Sequence, residues 1–328
     1  MSTRQISIDT IRHAATVVYD TVVRTPLVRL PTDAGGPEVY LKLETLQPIG
    51  SFTIRGACYA VQRVPPADLV DGVWTVSAGN AAQGVALAAR GAGVPCQVLV
   101  MDTAPQTKLA AIQRLGATIV KAPFDECWKA VETHRSDRMP GRLVHPFDDD
   151  DFISGNGTMA LEIVDDLPDV DAVIAPLGGG GLLAGVGIGL RALRPDVTIY
   201  AAEPETAAPL SVSLAAGEAR RFAAWQPSFV DGAGGKSVLG SMWPLLQELV
   251  SESLVVTLAE AAAAMRLVAD RLHVIAEGAA ACAVAAAISP GMAGRGHRKI
   301  VAVVSGGNID LARFAQIVGA CGDRPAAP

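Results

Sequence analysis

The groups best placed for chemistry in this chain are backbone amides. Gly178, Gly179, Gly180 and Gly181 come directly after the apolar run VDAVIAPL and directly before a helical pattern starting near Leu182. The N–H groups of such a turn converge, and the helix dipole adds positive potential, so a phosphate is the natural guest. Side chains would block its approach. A tight structural turn is the plainer alternative, but it does not need four glycines in a row. Two further loops have the same placement. Ser77-Ala78-Gly79-Asn80 offers amides and an asparagine side chain suited to a carboxylate or phenolate oxygen. Ser305-Gly306-Gly307-Asn308 follows the apolar run KIVAVVS. Three polar loops at the carboxyl ends of strands fit the crevice rule for open α/β sheets, and together they describe one site.

A dinucleotide is the rival guest. Gly179 to Ala184 satisfies G-x-G-x-x-A, with Glu203 after the next strand in position for a ribose. That match is short, and it leaves the Ser77 and Ser305 loops without a role.

The elements that must carry these loops follow from the apolar pattern. Strands are expected at Val39–Leu43, Val73–Val76, Gln97–Met101, Thr118–Val120, Ala172–Ala175, Thr198–Ala202 and Lys299–Val304, alternating with helices. Alternation implies parallel sheets covered on both faces, and the continuous apolar runs agree. The expected fold class is therefore α/β. At 328 residues, half of them apolar, the chain can bury two cores. The net charge of −6 argues against nucleic acid. The most apolar run, Ala279 to Ile288, is too short to cross a membrane. Five scattered cysteines without a CxxC pair are read as reduced thiols of a cytoplasmic protein. The stretch HPFDDDDF, His145 to Phe152, reads as a domain crossing whose aspartates face solvent rather than a metal.

Segments in order along the chain carry a resemblance. They are TPLVRL (Thr25–Leu30), VYLKLETLQPIGSFTIRGA (Val39–Ala57), SAGNAAQGVALAA (Ser77–Ala89), LGATIV (Leu115–Val120), GNGTMALEI (Gly155–Ile163), PLGGGGLLAG (Pro176–Gly185), AAEPE (Ala201–Glu205) and SGGNID (Ser305–Asp310). The chain resembles the fold-type II pyridoxal-phosphate enzymes, in the threonine/serine dehydratase branch. The resemblance implies two domains like those of tryptophan synthase β, each an open, mostly parallel sheet flanked by helices. Residues 1–55 plus 147–328 would form the large cofactor domain, and 56–146 a small mobile one. It also implies a homodimer acting on a small amino acid. Phe52 would lie against the cofactor ring, and Gly178 to Gly181 would hold its phosphate. Asn80 would meet the 3-hydroxyl, and Ser305 the ring nitrogen. Ser51, Ser77, Ala78, Gly79 and Ala81 would meet the substrate. A neutral serine at the ring nitrogen delocalises the carbanion less than a carboxylate partner does. That favours loss of a β-substituent, such as water from serine or threonine, over racemisation.

Thr53 is the departure. The family pattern S-F-K-x-R-G-A places the Schiff-base lysine at this position. Threonine can neither form that bond nor shuttle a proton near neutral pH. Losing a positioned acid–base group costs roughly 10²–10⁴ in rate. Of the other lysines, Lys42 is expected on the preceding strand, Lys108 on a distant helix, and Lys236 in the Gly232–Gly240 loop that approaches the site. A catalytically inactive or altered-chemistry homologue that binds the cofactor or a ligand noncovalently is the alternative reading. Two smaller departures are implied by the same resemblance. Ala78 stands where racemases carry a serine. Ala207, Ala208 and Pro209 follow Glu203 where some relatives bind a cation.

Overall fold

The structure is a computed structural model that describes residues 4–31 and 36–320. Its strands are β1 (Leu27–Leu30), β2 (Glu38–Leu43), β3 (Val73–Val76), β4 (Cys96–Met101), β5 (Thr118–Ala122), β6 (Arg142–Leu143), β7 (Ala172–Pro176), β8 (Thr198–Pro204), β9 (Glu252–Val256) and β10 (Lys299–Val304). They form two sheets. The larger runs β1-β2-β10-β7-β8-β9, and only its edge strand β1 is antiparallel. The smaller, β5-β4-β3-β6, is parallel throughout. The fold is α/β, with two open, mostly parallel sheets flanked by helices.

The central strand β7 is apolar at every position, and β10 at every position after Lys299, because successive side chains enter two different cores. Ala172 and Ile174 pack with the buried helix Gly278–Ala287, while Val173 and Ala175 pack with helices Asp150–Asp166 and Gly181–Leu193. The run Ala279 to Ile288 is thus a core helix, and no described helix is long and apolar enough to cross a membrane. Strands β1, β6 and β9 have no counterpart in the expectations above. All three are sheet edges and are only partly buried, so no continuous apolar run marks them.

The aspartate run does not face solvent as expected. Asp149 caps helix Asp150–Asp166, accepting from the Phe152 N–H at 2.9 Å. Asp148 is buried and held by Arg4, by the Ser241 hydroxyl at 2.6 Å and by His134 Nε2 at 3.1 Å. Burial comes first in pushing the neighbouring His145 down to about 4, so its imidazole is neutral. Its Nδ1 accepts from the Asp148 N–H and its Nε2 donates to the Val131 carbonyl. Among the described residues no group of three His, Cys, Asp or Glu is arranged for a metal. Cys58, Cys96, Cys127 and Cys282 are buried free thiols, and Cys321 lies outside the described residues.

Helix Thr53–Arg63 begins at the position of interest and is held by a buried ionic quartet. Lys42, Glu44, Arg55 and Glu162 are all fully buried. Arg55 meets Glu44 through Nε at 2.8 Å and Nη2 at 2.8 Å, and Glu162 through Nη1 at 2.7 Å and Nη2 at 3.0 Å. Lys42 Nζ lies 2.6 Å from Glu162 and donates to the Thr25 carbonyl at 2.6 Å. Thr25, Gln47, Thr158 and Tyr19 satisfy further atoms of the cluster. Two cations balance two carboxylates, so no net charge is buried. Burial opposes the ionised form of Glu162, but Arg55 and Lys42 prevail and hold its carboxyl below the usual range. Close backbone contact completes the clamp: a Cβ at Gly155 would lie 2.4 Å from the Arg55 carbonyl oxygen.

Removing one member leaves a carboxylate buried without its partner. Arg55→Met is therefore expected to cost about 3–5 kcal/mol in urea unfolding. A loss below about 1 kcal/mol, the value of an exposed pair, contradicts this account.

Candidate active site

The three loops open onto one cleft of about 950 Å³, at the carboxyl ends of β3, β7 and β10. Phe52 and Thr53 line it, as do Ser77, Ala78, Gly79, Asn80 and Ala81. Gly178, Gly179, Gly180, Gly181 and Ser305 complete the expected set. Ser51 is different. It is fully buried behind Thr53, with the two hydroxyl oxygens 2.7 Å apart. The loops are tied to one another. Phe52 N–H donates to the Ser305 carbonyl at 3.0 Å, and Ser51 bridges Gly306. Asn308 Nδ2 donates to Asn80 Oδ1 at 2.8 Å, which joins the third loop to the second.

The glycine run has the shape of a phosphate cradle. Gly180 caps helix Gly181–Leu193 in the left-handed region, φ 95°. A Cβ at Gly179 would lie 2.0 Å from the Phe147 ring. The first N–H groups of the helix have no acceptor within it and face a cleft rather than a carbonyl. Asn156 supplies an independent observation. It is fully buried and lines the cleft, its Oδ1 accepts from the Gly56 N–H at 3.2 Å, and its Nδ2 has no partner. A buried donor without a partner costs about 1–3 kcal/mol, and a polar guest in the cleft relieves that cost.

Glu277 was not singled out from the sequence, because IAEGAA matches no motif. It lines the cleft between the Asn80 and Ser305 loops. Asn80 Nδ2 donates to its Oε1 at 2.9 Å. A Cβ on Gly306 would lie 2.8 Å from the same oxygen, so glycine there makes room for the carboxyl. Burial first, then the charge of Asp231, pushes Glu277 up to about 7. Asn156 and Phe147 were also missed as site residues; Asn156 lies inside the GNGTMALEI segment, whose likeness hinted at it.

Glu203 has no part in the cleft. Its buried carboxylate accepts from the Leu210 N–H at 2.9 Å, the Ser211 N–H at 2.8 Å and the Ser253 hydroxyl at 2.5 Å. With its oxygens so engaged, it is not presented to a ribose.

The lysines are placed as follows. Lys42 is locked in the quartet. Lys236 sits 4.3 Å from the Trp225 ring and 4.8 Å from the Phe124 ring, away from the cleft its loop borders. Lys108, expected on a distant helix, lines the cleft and pairs with Asp231.

An open α/β scaffold with an amide cradle and a switch-point cleft is the class that fold and site define. A family model described as "Pyridoxal-phosphate dependent enzyme" matches residues 18–306. The chain belongs to that family, whose cofactor is pyridoxal phosphate. It is 35% identical over 317 residues to the L-threonine ammonia-lyase of Thermotoga maritima, covering 95% of this chain and 78% of that one. It is 36% identical over 315 residues to the serine racemase of Homo sapiens, covering 93% and 92%. The solved threonine deaminase isoform 2 of Solanum lycopersicum superposes with a TM-score of 0.86 at 32% identity, covering 96% and 93%. The family assignment sets aside the dinucleotide reading.

A pH test follows from Glu277. Its raised value means the folded chain keeps a proton that the unfolded chain releases between about pH 4.5 and about 7. The associated stability is fully present below 4.5 and lost as pH rises through 7. Glu277→Gln has no such loss, so it should gain on the parent by on the order of 3 kcal/mol across that window. Denaturant unfolding of both proteins at the two ends measures it; a constant difference contradicts it.

Proposed function

We propose that this chain is a pyridoxal-phosphate-dependent ammonia-lyase scaffold. Its reaction class is β-elimination from a small β-hydroxy amino acid, such as serine or threonine, to a 2-oxo acid and ammonia. The observation that carries the reading is the convergence of the Gly178–Gly181, Ser77–Asn80 and Ser305–Asn308 loops on one cleft. Pyridoxal phosphate, when bound, draws electrons from the bonds at the substrate's α-carbon. The chain's own residues supply the rest. The glycine amides would hold the phosphate, and Phe52 would pack against the ring. The second Nδ2 hydrogen of Asn80, held in place by Glu277 and Asn308, would meet the 3-hydroxyl. Amides of Ser77 to Ala81 would orient the substrate carboxylate.

Elimination is favoured over racemisation by two side chains. Ser305 at the end of β10 is neutral, so it does not deepen the electron sink. Ala78 has no hydroxyl to return a proton from the opposite face. The same proposal includes a small mobile unit over 56–146, a homodimer, and a cytoplasmic location; these rest on the family resemblance. A second reading is favoured by Thr53, which is 6% exposed and bonded to Ser51 rather than free in the cleft. It makes the chain a homologue that binds the cofactor noncovalently without turnover.

Restoring the amine separates the two readings. Thr53→Lys should raise 2-oxo acid formation from serine or threonine by roughly 10²-fold or more, with cofactor loading of both proteins measured by absorbance. A loaded Thr53→Lys protein with no gain would contradict the lyase reading.

A further inference from the structure

The chain has six lysines, and all lie among the described residues. Lys42 is enclosed by Glu162 and the Thr25 carbonyl. Lys121 and Lys129 are exposed on the surface of the smaller sheet unit. Lys236 is seated between two aromatic rings. Lys299 pairs with Asp169 at 2.6 Å, at the start of β10 rather than at its cleft end. Lys108 is the one that borders the cleft.

Its surroundings place it on the open side of the cleft, with a side chain 36% exposed. Lys108 lies in the first turn of helix Gln106–Arg114 and pairs with Asp231 from the opposite wall. Asp231 is followed by Gly232, whose carbonyl oxygen would lie 2.7 Å from a Cβ on Gly178 of the cradle. On its other side Gly232 approaches Glu277, with 3.4 Å from a Gly232 Cβ to Oε1. The charges of both Lys108 and Asp231 act on Glu277, which in turn bonds Asn80. The Asp231–Gly232 segment that Lys108 pairs with therefore lies beside both the cradle and Glu277, the partner of Asn80.

Resting on the cofactor reading above, we propose that Lys108 supplies the covalent amine absent at Thr53. The ammonium of Lys108 gives a proton to base in the solvent that enters the cleft. The freed amine nitrogen bonds the aldehyde carbon of pyridoxal phosphate, a carbon–nitrogen double bond forms, and the aldehyde oxygen leaves as water. No oxidant or reductant is needed. A substrate amine can displace Lys108 by the reverse exchange.

The test is reductive trapping. The full chain is mixed with an equimolar amount of pyridoxal phosphate, treated with borohydride, digested and mapped by mass spectrometry. Noncovalent binding is followed separately by phosphorus NMR. The expected result is about one pyridoxyl group per chain, on the peptide bearing Lys108. Lys108→Arg keeps the charge and the pair with Asp231 but should lose the label roughly tenfold or more while retaining the phosphorus signal of bound cofactor. Circular dichroism checks that the variant is folded. Bound cofactor with no label, label spread over Lys121 and Lys129, or equal labelling of Lys108→Arg overturns the assignment and leaves the cofactor reading standing. Absence of any bound phosphorus signal overturns both. In Thr53→Lys the label should move to position 53.

Discussion

The buried quartet of Lys42, Glu44, Arg55 and Glu162 is the constraint on which the site depends. It joins β2, the turn that follows it, helix Thr53–Arg63 and helix Asp150–Asp166 at one point. Each charge left unpaired there would cost several kcal/mol, so the four backbone pieces cannot drift independently. Arg55 is two residues into its helix, and Thr53 starts it. Fixing the guanidinium therefore fixes the position from which residue 53 faces the cleft. The bond between Phe52 and Ser305 and the bridge between Ser51 and Gly306 then register this segment against the end of β10. The scaffold for residue 53 is intact even though the residue is not a lysine.

That separation between scaffold and chemistry defines the molecule. The cradle glycines, Asn80 and Ser305 are positioned by strand ends and helix starts, and Asn156 by the middle of helix Asp150–Asp166, so their arrangement does not depend on residue 53. What Thr53 changes is local. Its hydroxyl bonds Ser51, and its short side chain ends at the wall of the cleft. Glu277 and the Lys108–Asp231 pair are among the ionisable groups that line the cleft. The proposed covalent role of Lys108 rests on that placement.

Much of this was legible in the residues. The central strands β2, β3, β4, β7, β8 and β10 announced themselves because apolar residues dominate both faces. The three glycine-bearing loops were legible because glycine and asparagine after such runs have few other uses. Of the edge strands, β5 was expected, but β1, β6 and β9 were not, since half-exposed strands carry no continuous pattern. Glu277 was hidden for a different reason: its importance comes from being enclosed by Gly306, Gly232 and Asn80, three residues far from it in sequence. Lys108 was read as remote because sequence separation says nothing about which wall of a cleft a helix forms. The Asp148–Asp151 run looked solvated, and only the fold brings Arg4, His134 and Ser241 to Asp148.

The central claim is that the glycine cradle recognises the phosphate of pyridoxal phosphate without help from a lysine at position 53. Calorimetric titration of the unmodified chain with pyridoxal phosphate and with pyridoxal compares the same ring with and without that group. Two or more charge-assisted amide bonds, at about 1.5–3 kcal/mol each, predict a preference of roughly 100-fold or more for the phosphorylated form. Equal affinity for the two compounds would contradict the account.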